Sequence, residues 1–563
     1  MGRRLSAAAA CGALAAVLLG ACTGGSPDDG SSASASPSSS GAPATEDPAT
    51  RTSATADPLT VAPEATDVDA SLRVSRELFD ESPVVVVAPA GQPDTQRLAA
   101  HASVSLGVPL LVVPPASDAA GGEALASELA RLAPATVVAV GDFTGLPEPA
   151  GEDQEDDAPA VVRAGTTPSA LAEATGVVLD GVAPADPATF ATEVAGLAPA
   201  AAPAPSRSTD LPTFARAAPL DGVLALAVDA PEHLAAIATA RAAGVPVHLV
   251  PPSAPNPQAH PGLVDALHAS AGARVLAVGA ALAAEPALDW KVRAAQTGVQ
   301  LPGGGQLLFP RHQFVALYGT PATTSLGVLG EQDAPASVQR ARETAAAYVP
   351  LTDRTVVPMF EIIATVAAGS EGADGNFSNE QSVDTLRTWV DEAAAAGIYV
   401  VLDLQPGRSD FLTQARQYEE LLARPNVGLA LDPEWRLGPD ERPLQRIGSV
   451  DAAEVNAVVT WLAELTNRHA LPQKMLVLHQ FQLRMLADRA LIDTTRPELA
   501  VVIHADGQGG QPAKQSTWQT LRQGAPAGVA WGWKNFHDED TPMLTPEQTM
   551  RDVVPAPDLV TYQ

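Results

Sequence analysis

The chain has 563 residues, enough for several domains and too many for one small module. With 46% hydrophobic and 18% charged residues it is not a solvating polymer throughout, although 51 prolines and 44 glycines require long irregular stretches. A formal charge of −31 repels phosphate backbones and anionic headgroups alike, so no nucleic-acid partner is expected.

Both cysteines, Cys11 and Cys22, lie near the N-terminus, which excludes a disulfide framework from the folded part. Residues 1–21 place Arg3 and Arg4 before an apolar stretch too short to span a membrane, the pattern of an export signal. Its end, Leu19-Gly20-Ala21-Cys22, resembles the bacterial lipobox. The resemblance implies a diacylglycerol on Cys22 as the one membrane attachment. It also implies an extracytoplasmic location, at the outer face of the cytoplasmic membrane or in the cell wall. Residues 22–68 are rich in Ser, Pro and Ala and almost free of large apolar side chains, so they read as a disordered tether.

Apolar runs then begin at Val84, Pro109 and Thr136, separated by segments of helical period. Such alternation indicates buried parallel strands in an α/β architecture. The order returns with runs from Val223, Gly244 and Arg274. Gly107-Val108-Pro109 recurs 137 residues later as Gly244-Val245-Pro246, and Val140-Gly141 recurs 138 residues later as Val278-Gly279, which marks a duplication. The expectation is a Rossmann-like unit at 69–150, an acidic Pro/Ala-rich connector or degenerate repeat at 151–210, and a second Rossmann-like unit at 211–300. No dinucleotide or Walker-type glycine loop follows the first strands, so no cofactor is expected.

Arg73, Ser75, Leu78 and Phe79, followed by an apolar strand, a helix and Gly107-Val108-Pro109-Leu110-Leu111-Val112, resemble the cell-wall-binding repeat type 2 family. The resemblance implies docking on a cell-wall glycan or secondary wall polymer, with Pro109-Leu110-Leu111-Val112 near the contact. The chain departs from that family in showing two clear copies rather than three, and in being acidic with only four lysines.

After the glycine-rich stretch at 301–305 the strands end in charged or aromatic residues. Runs from Phe314, Val356, Ile398, Val427, Lys474, Leu499, Gly528 and Asp558, with helices between, give eight β/α steps in residues 301–563, the size of a (β/α)8 TIM-like barrel. A doubly wound open sheet is the alternative. The strand ends that would share the barrel mouth are Tyr318, Glu361, Asp403, Asp432 with Glu434 and Trp435, His479 with Gln480, His504 with Asp506, and Trp531 with Trp533 and Lys534. Carboxylates and indoles gathered in one mouth suit a hydroxyl-rich, flat-faced ligand such as a sugar.

Gly428-Leu429-Ala430-Leu431-Asp432-Pro433-Glu434 resembles the fourth-strand signature of chitinase-like glycoside hydrolases, which ends in D-x-E. That implies Glu434 as general acid and Asp432 as its catalytic partner. Two earlier acids of the signature are replaced here by Val427 and Ala430. Glu361, Tyr318, Asp403, Trp435, His504, Asp506, Trp531 and Trp533 are the expected substrate-binding residues. A metal hydrolase using His479, His504 and Asp506 lacks the H-E-x-x-H pattern, so the expected site has no metal. Two functions stay open: an envelope lipoprotein whose barrel hydrolyses a glycan, or a non-enzymatic wall-binding scaffold with a lectin-like barrel.

Replacing the lipidated thiol tests the attachment: Cys22→Ser is expected to release the protein from the membrane fraction. Retention of that variant after a salt wash would contradict the lipoprotein reading.

Overall fold

The computed structural model describes residues 48–143, 159–177, 179, 182, 185–198 and 211–563, all within a unit spanning Asp47–Gln563. The expected signal segment, Cys22 and residues 22–47 of the expected tether lie outside the described residues. No helix among the described residues is long and apolar enough to cross a membrane.

Residues 48–68, expected as tether, are instead part of the fold. Leu59–Ala62 form strand β1, and helix α1 spans Asp67–Leu78 with the Thr66 hydroxyl accepting from the Asp69 amide at its start. Then follow β2 (Val84–Pro89), α2 (Pro93–Leu106), β3 (Leu110–Val113), α3 (Ala119–Leu132), β4 (Thr136–Val140) and β5 (Ala160–Ala164). The second copy comprises β6 (Val223–Val228), α4 (Leu234–Ala242), β7 (Val247–Val250), α5 (Pro261–Ala269) and β8 (Arg274–Val278), with α6 (Leu288–Thr297) leading to the barrel.

The first sheet runs β3-β2-β4-β5 and the second β7-β6-β8-β1, with every pairing parallel. The three repeated strands therefore take the same order in both copies. The fourth strand differs in origin, because the first sheet takes β5 from downstream, inside the expected connector, whereas the second takes β1 from far upstream. That long-range pairing explains why residues 48–68 read as tether: a four-residue strand between prolines carries no local sign of a partner so far away. The duplication extends to backbone conformation. Gly107 and Gly244 leave their helices at φ 71° and 82°, and Gly141 and Gly279 follow β4 and β8 at φ 104° and 114°, a region that side-chain-bearing residues rarely occupy.

Leu72 of α1, Leu98 of α2 and Ile237 of α4 share one core with side chains of both sheets, among them Val86 and Ala225. This packing corrects one implication of the wall-binding resemblance. Leu110, Leu111 and Val112 are fully buried. The edge of β3 is also sealed: Thr239 Oγ1 on α4 accepts from the Leu110 amide and donates to its carbonyl, both at 3.0 Å, and Ser71 Oγ accepts from the Val112 amide at 3.0 Å. The P-L-L-V element is an interior strand, unable to meet a polymer.

The C-terminal region is a closed barrel of eight parallel strands: β9 (His312–Gly319), β10 (Thr355–Ala367), β11 (Tyr399–Leu404), β12 (Val427–Leu431), β13 (Lys474–His479), β14 (Leu499–Ala505), β15 (Ala530–Asn535) and β16 (Leu559–Tyr562). Pairing of β9 with both β10 and β16 closes it, which excludes the open sheet. Leu402, Leu429, Leu476 and Val501 face the surrounding helices, while Phe314, Val357, Tyr399, Met475 and Val502 fill the interior. Trp290 of α6 donates to the Leu471 carbonyl at 3.0 Å, joining the α/β region to the barrel.

Because β1 closes the second sheet, a chain starting at residue 63 should lose roughly 2–4 kcal/mol against one starting at 48, from buried apolar area and an exposed strand edge. Superimposable urea-unfolding curves for the two would overturn this account of β1.

Candidate active site

Alternation along each strand decides which side chains enter the barrel. At the carboxyl ends the inward position is polar on every strand: Tyr318 (β9), Glu361 (β10), Asp403 (β11), Asp432 just past β12, His479 (β13), His504 (β14), Lys534 (β15) and Thr561 (β16), all buried. Strand register sets Tyr318 beside Glu361, His479 beside His504, and Lys534 beside Thr561. The result is a polar layer above an apolar plug.

His479 sits at its centre. Nε2 lies 2.8 Å from Glu361 Oε1 and 3.8 Å from Asp403 Oδ1, while Nδ1 lies 2.9 Å from Asp506 Oδ2. Tyr318 donates to Asp403 Oδ2 at 2.8 Å, and Thr561 donates to Glu361 Oε2 at 3.1 Å. The Lys534 ammonium stands 3.3 Å from the centre of the Tyr318 ring. The His504 ring lies against Gly532, where a Cβ would stand 2.5 Å from His504 Cδ2. Neither nitrogen of His504 has a hydrogen-bond partner among the described residues, nor do Asp403 Oδ1 and Asp506 Oδ1.

Burial and crowding push these groups apart in proton affinity. Burial raises Glu361, but the imidazoles of His479 and His504 pull it down to about 2. Burial works against charge on His479, yet Asp403 and Glu361 lift it well above the ordinary histidine range. His504, buried and facing the charged His479, falls to about 3. Burial works against charge on Asp506, but the hydrogen bond from His479 and the nearby positive charges of His479 and Lys534 together lower it. Asp403 and Asp432 are raised, chiefly by burial, with neighbouring carboxylates adding to it. Glu434 rises to about 7 through burial and the Asp506 charge, against the opposing pull of Lys534 and His479.

The D-P-E segment does not continue the strand. β12 ends at Leu431, and Pro433–Trp435 form a 3-10 turn capped by Asp432, whose Oδ1 accepts from the Glu434 amide at 3.0 Å. Asp432 and Glu434 reach the same region by this turn rather than by strand alternation, and Asp432 is a capping residue as much as a partner to Glu434.

The two expected tryptophan platforms are elsewhere. Gly532 and Lys534 take the inward positions of β15, so Trp531 and Trp533 point out, edge-on against Trp518 of the Gln511–Arg522 helix at 5.6 and 5.8 Å between ring centres. Trp533 is 1% exposed and belongs to that helix-side core. Trp435, half-buried in the turn after Glu434, is the expected indole that remains near the mouth. Gln480 turns aside to accept from Arg489 at 2.8 Å. Lys534, expected at the mouth, does face in, whereas Thr561 has no place in the sequence reading; parity within D-L-V-T-Y, with Leu559 in the interior core, is the signal that finds it.

No protein-family model matches the chain, and no curated protein does. Among solved structures, Cwp6 from Clostridium difficile is similar at 12% sequence identity and a TM-score of 0.27, over 56% of this chain and 64% of that one. The chain thus spans less than two thirds of that protein's chain, and a likeness this low says nothing about ligand or reaction.

Trp533→Ala should cost about 3–5 kcal/mol of stability, as a buried aromatic does. Unchanged stability in urea unfolding would contradict its place in that core.

Proposed function

We propose that the protein is an exported envelope lipoprotein whose barrel mouth hydrolyses a glycan, with Glu434 as the proton donor. The observation that carries this reading is a partly exposed carboxyl at the rim whose affinity for its proton is raised to about 7, beside an ionised Asp506. Near neutrality Glu434 keeps a proton for the leaving glycosidic oxygen as the anomeric C–O bond breaks. Asp506 holds one oxygen that has no hydrogen-bond partner among the described residues. It orients the incoming water, takes its proton as the new C–O bond forms, and passes it on to solvent, while Glu434 regains a proton. Trp435 offers an indole face to a sugar ring. Lipidation at Cys22, an extracytoplasmic location and association with a cell-wall glycan or secondary wall polymer belong to this proposal, resting on the lipobox-like and repeat-like motifs.

One observation favours the second reading, a lectin-like barrel in a non-enzymatic scaffold: Trp531 and Trp533 face away from the mouth, which leaves fewer stacking surfaces for an oxocarbenium-forming substrate.

Glu434→Gln should lower glycan turnover by a factor on the order of 100 while keeping binding. Wild-type kcat/KM should fall as pH rises through about 7, where Glu434 loses its proton, with Asp506, Lys534 and His479 as the charged groups facing it. Turnover unchanged in the variant would exclude Glu434. Binding without turnover by the wild type across a broad glycan panel would favour the scaffold.

A further inference from the structure

Beneath the rim, one feature of the buried layer is not used by the proton donor. His504 is wholly buried, yet both its ring nitrogens lack partners, and Asp403 Oδ1 is likewise unpartnered. A buried polar atom left without a bond is costly, so such atoms converging on one point call for a ligand. His504 meets that condition: Glu361, His479 and His504 bring one ligand atom each within 4.8 Å of one another. Glu361 Oε1 is 2.8 Å from His479 Nε2 and 3.8 Å from His504 Nδ1, and Asp403 Oδ1 is 3.8 Å from His479 Nε2.

We propose that Glu361, His479 and His504 form a binding site for one divalent cation of the zinc class, with Asp403 beside His479. Two ligand atoms each about 2.1 Å from an ion and at a right angle lie about 3 Å apart, and more open angles give wider separations, so the observed spacings suit one ion with small side-chain shifts. Two imidazoles with one carboxylate select a borderline cation such as zinc over calcium or magnesium, which take oxygen shells. The outer shell is present too. Asp506 at His479 Nδ1 fixes the ring so that Nε2 faces the site, and Tyr318 and Thr561 hold the carboxylates of Asp403 and Glu361. Glu434 is not among its ligands, and no glycan is needed to fill it.

The test uses the full chain, stripped with a chelator and titrated with zinc chloride by calorimetry, with a thermal melt in parallel. One ion per chain, a melting temperature raised by zinc, and little response to magnesium are expected. His504→Ala should weaken zinc binding at least tenfold. Should that variant fold poorly, Glu361→Gln, which keeps shape, and Asp506→Asn, which frees the His479 ring, should each weaken it about 10-fold or more. Absence of saturable zinc uptake by the folded wild type, or uptake unaltered in the folded variants, would overturn the site. Neither result bears on Glu434, because no glycan enters the measurement.

Discussion

The barrel mouth depends on one buried imidazole. His479 is enclosed by Glu361, Asp403 and Asp506, and the rest of the layer is arranged around the charge this contact sustains. Burial works against charge on Glu361 and Asp506, and both are lowered with His479 foremost among the causes, whereas burial leaves Asp403 raised. The contact also sets the contrast on which the proposed chemistry depends. Asp506, bonded to His479, stays ionised, whereas Asp403 and Asp432 are driven toward the neutral form and Glu434 is left holding a proton near neutral pH.

The scarcity of lysine fits the same economy of charge. All four lysines are buried, at 4% exposure or less, and each has an interior task. Lys291 pairs with Glu285 and Lys514 with Asp540. Lys474 donates to the carbonyls of Arg424 and Val427, and burial takes it down to about 7. Lys534 covers the Tyr318 ring. Lysine thus adds nothing to the charge of the described surface, and an anionic polymer would meet arginines set among a large excess of acids. That bears directly on how a wall polymer is held, and with the P-L-L-V strand sealed inside, the α/β pair has no polymer contact of the kind its resemblance implied.

Much of the architecture could be read from the chain because its signals are local. Eight apolar runs ending in polar residues gave the barrel strands, and repeated Gly-Val-Pro and Val-Gly pairs gave the duplicated units. What could not be read depended on distant partners or on facing. β1 has its partner at β8, far downstream, so its short run resembled linker. The indoles of Trp531 and Trp533 lie in the right segment, but their parity is fixed only by Gly532, whose missing side chain makes room for His504. Asp432 and Glu434 are joined by a capped turn rather than by the extended strand their spacing suggests.

The central claim is that the rim carboxyl holds its proton near neutrality, and direct titration of that group tests it. With glutamate labelled at the carboxyl carbon, NMR spectra of the wild type across pH 3–9, compared with those of Glu434→Gln, isolate the Glu434 resonance. The account predicts a midpoint at about 7 for that resonance. A midpoint in the ordinary glutamate range near 4.3 would contradict it, because Glu434 would then be ionised when it is required to donate.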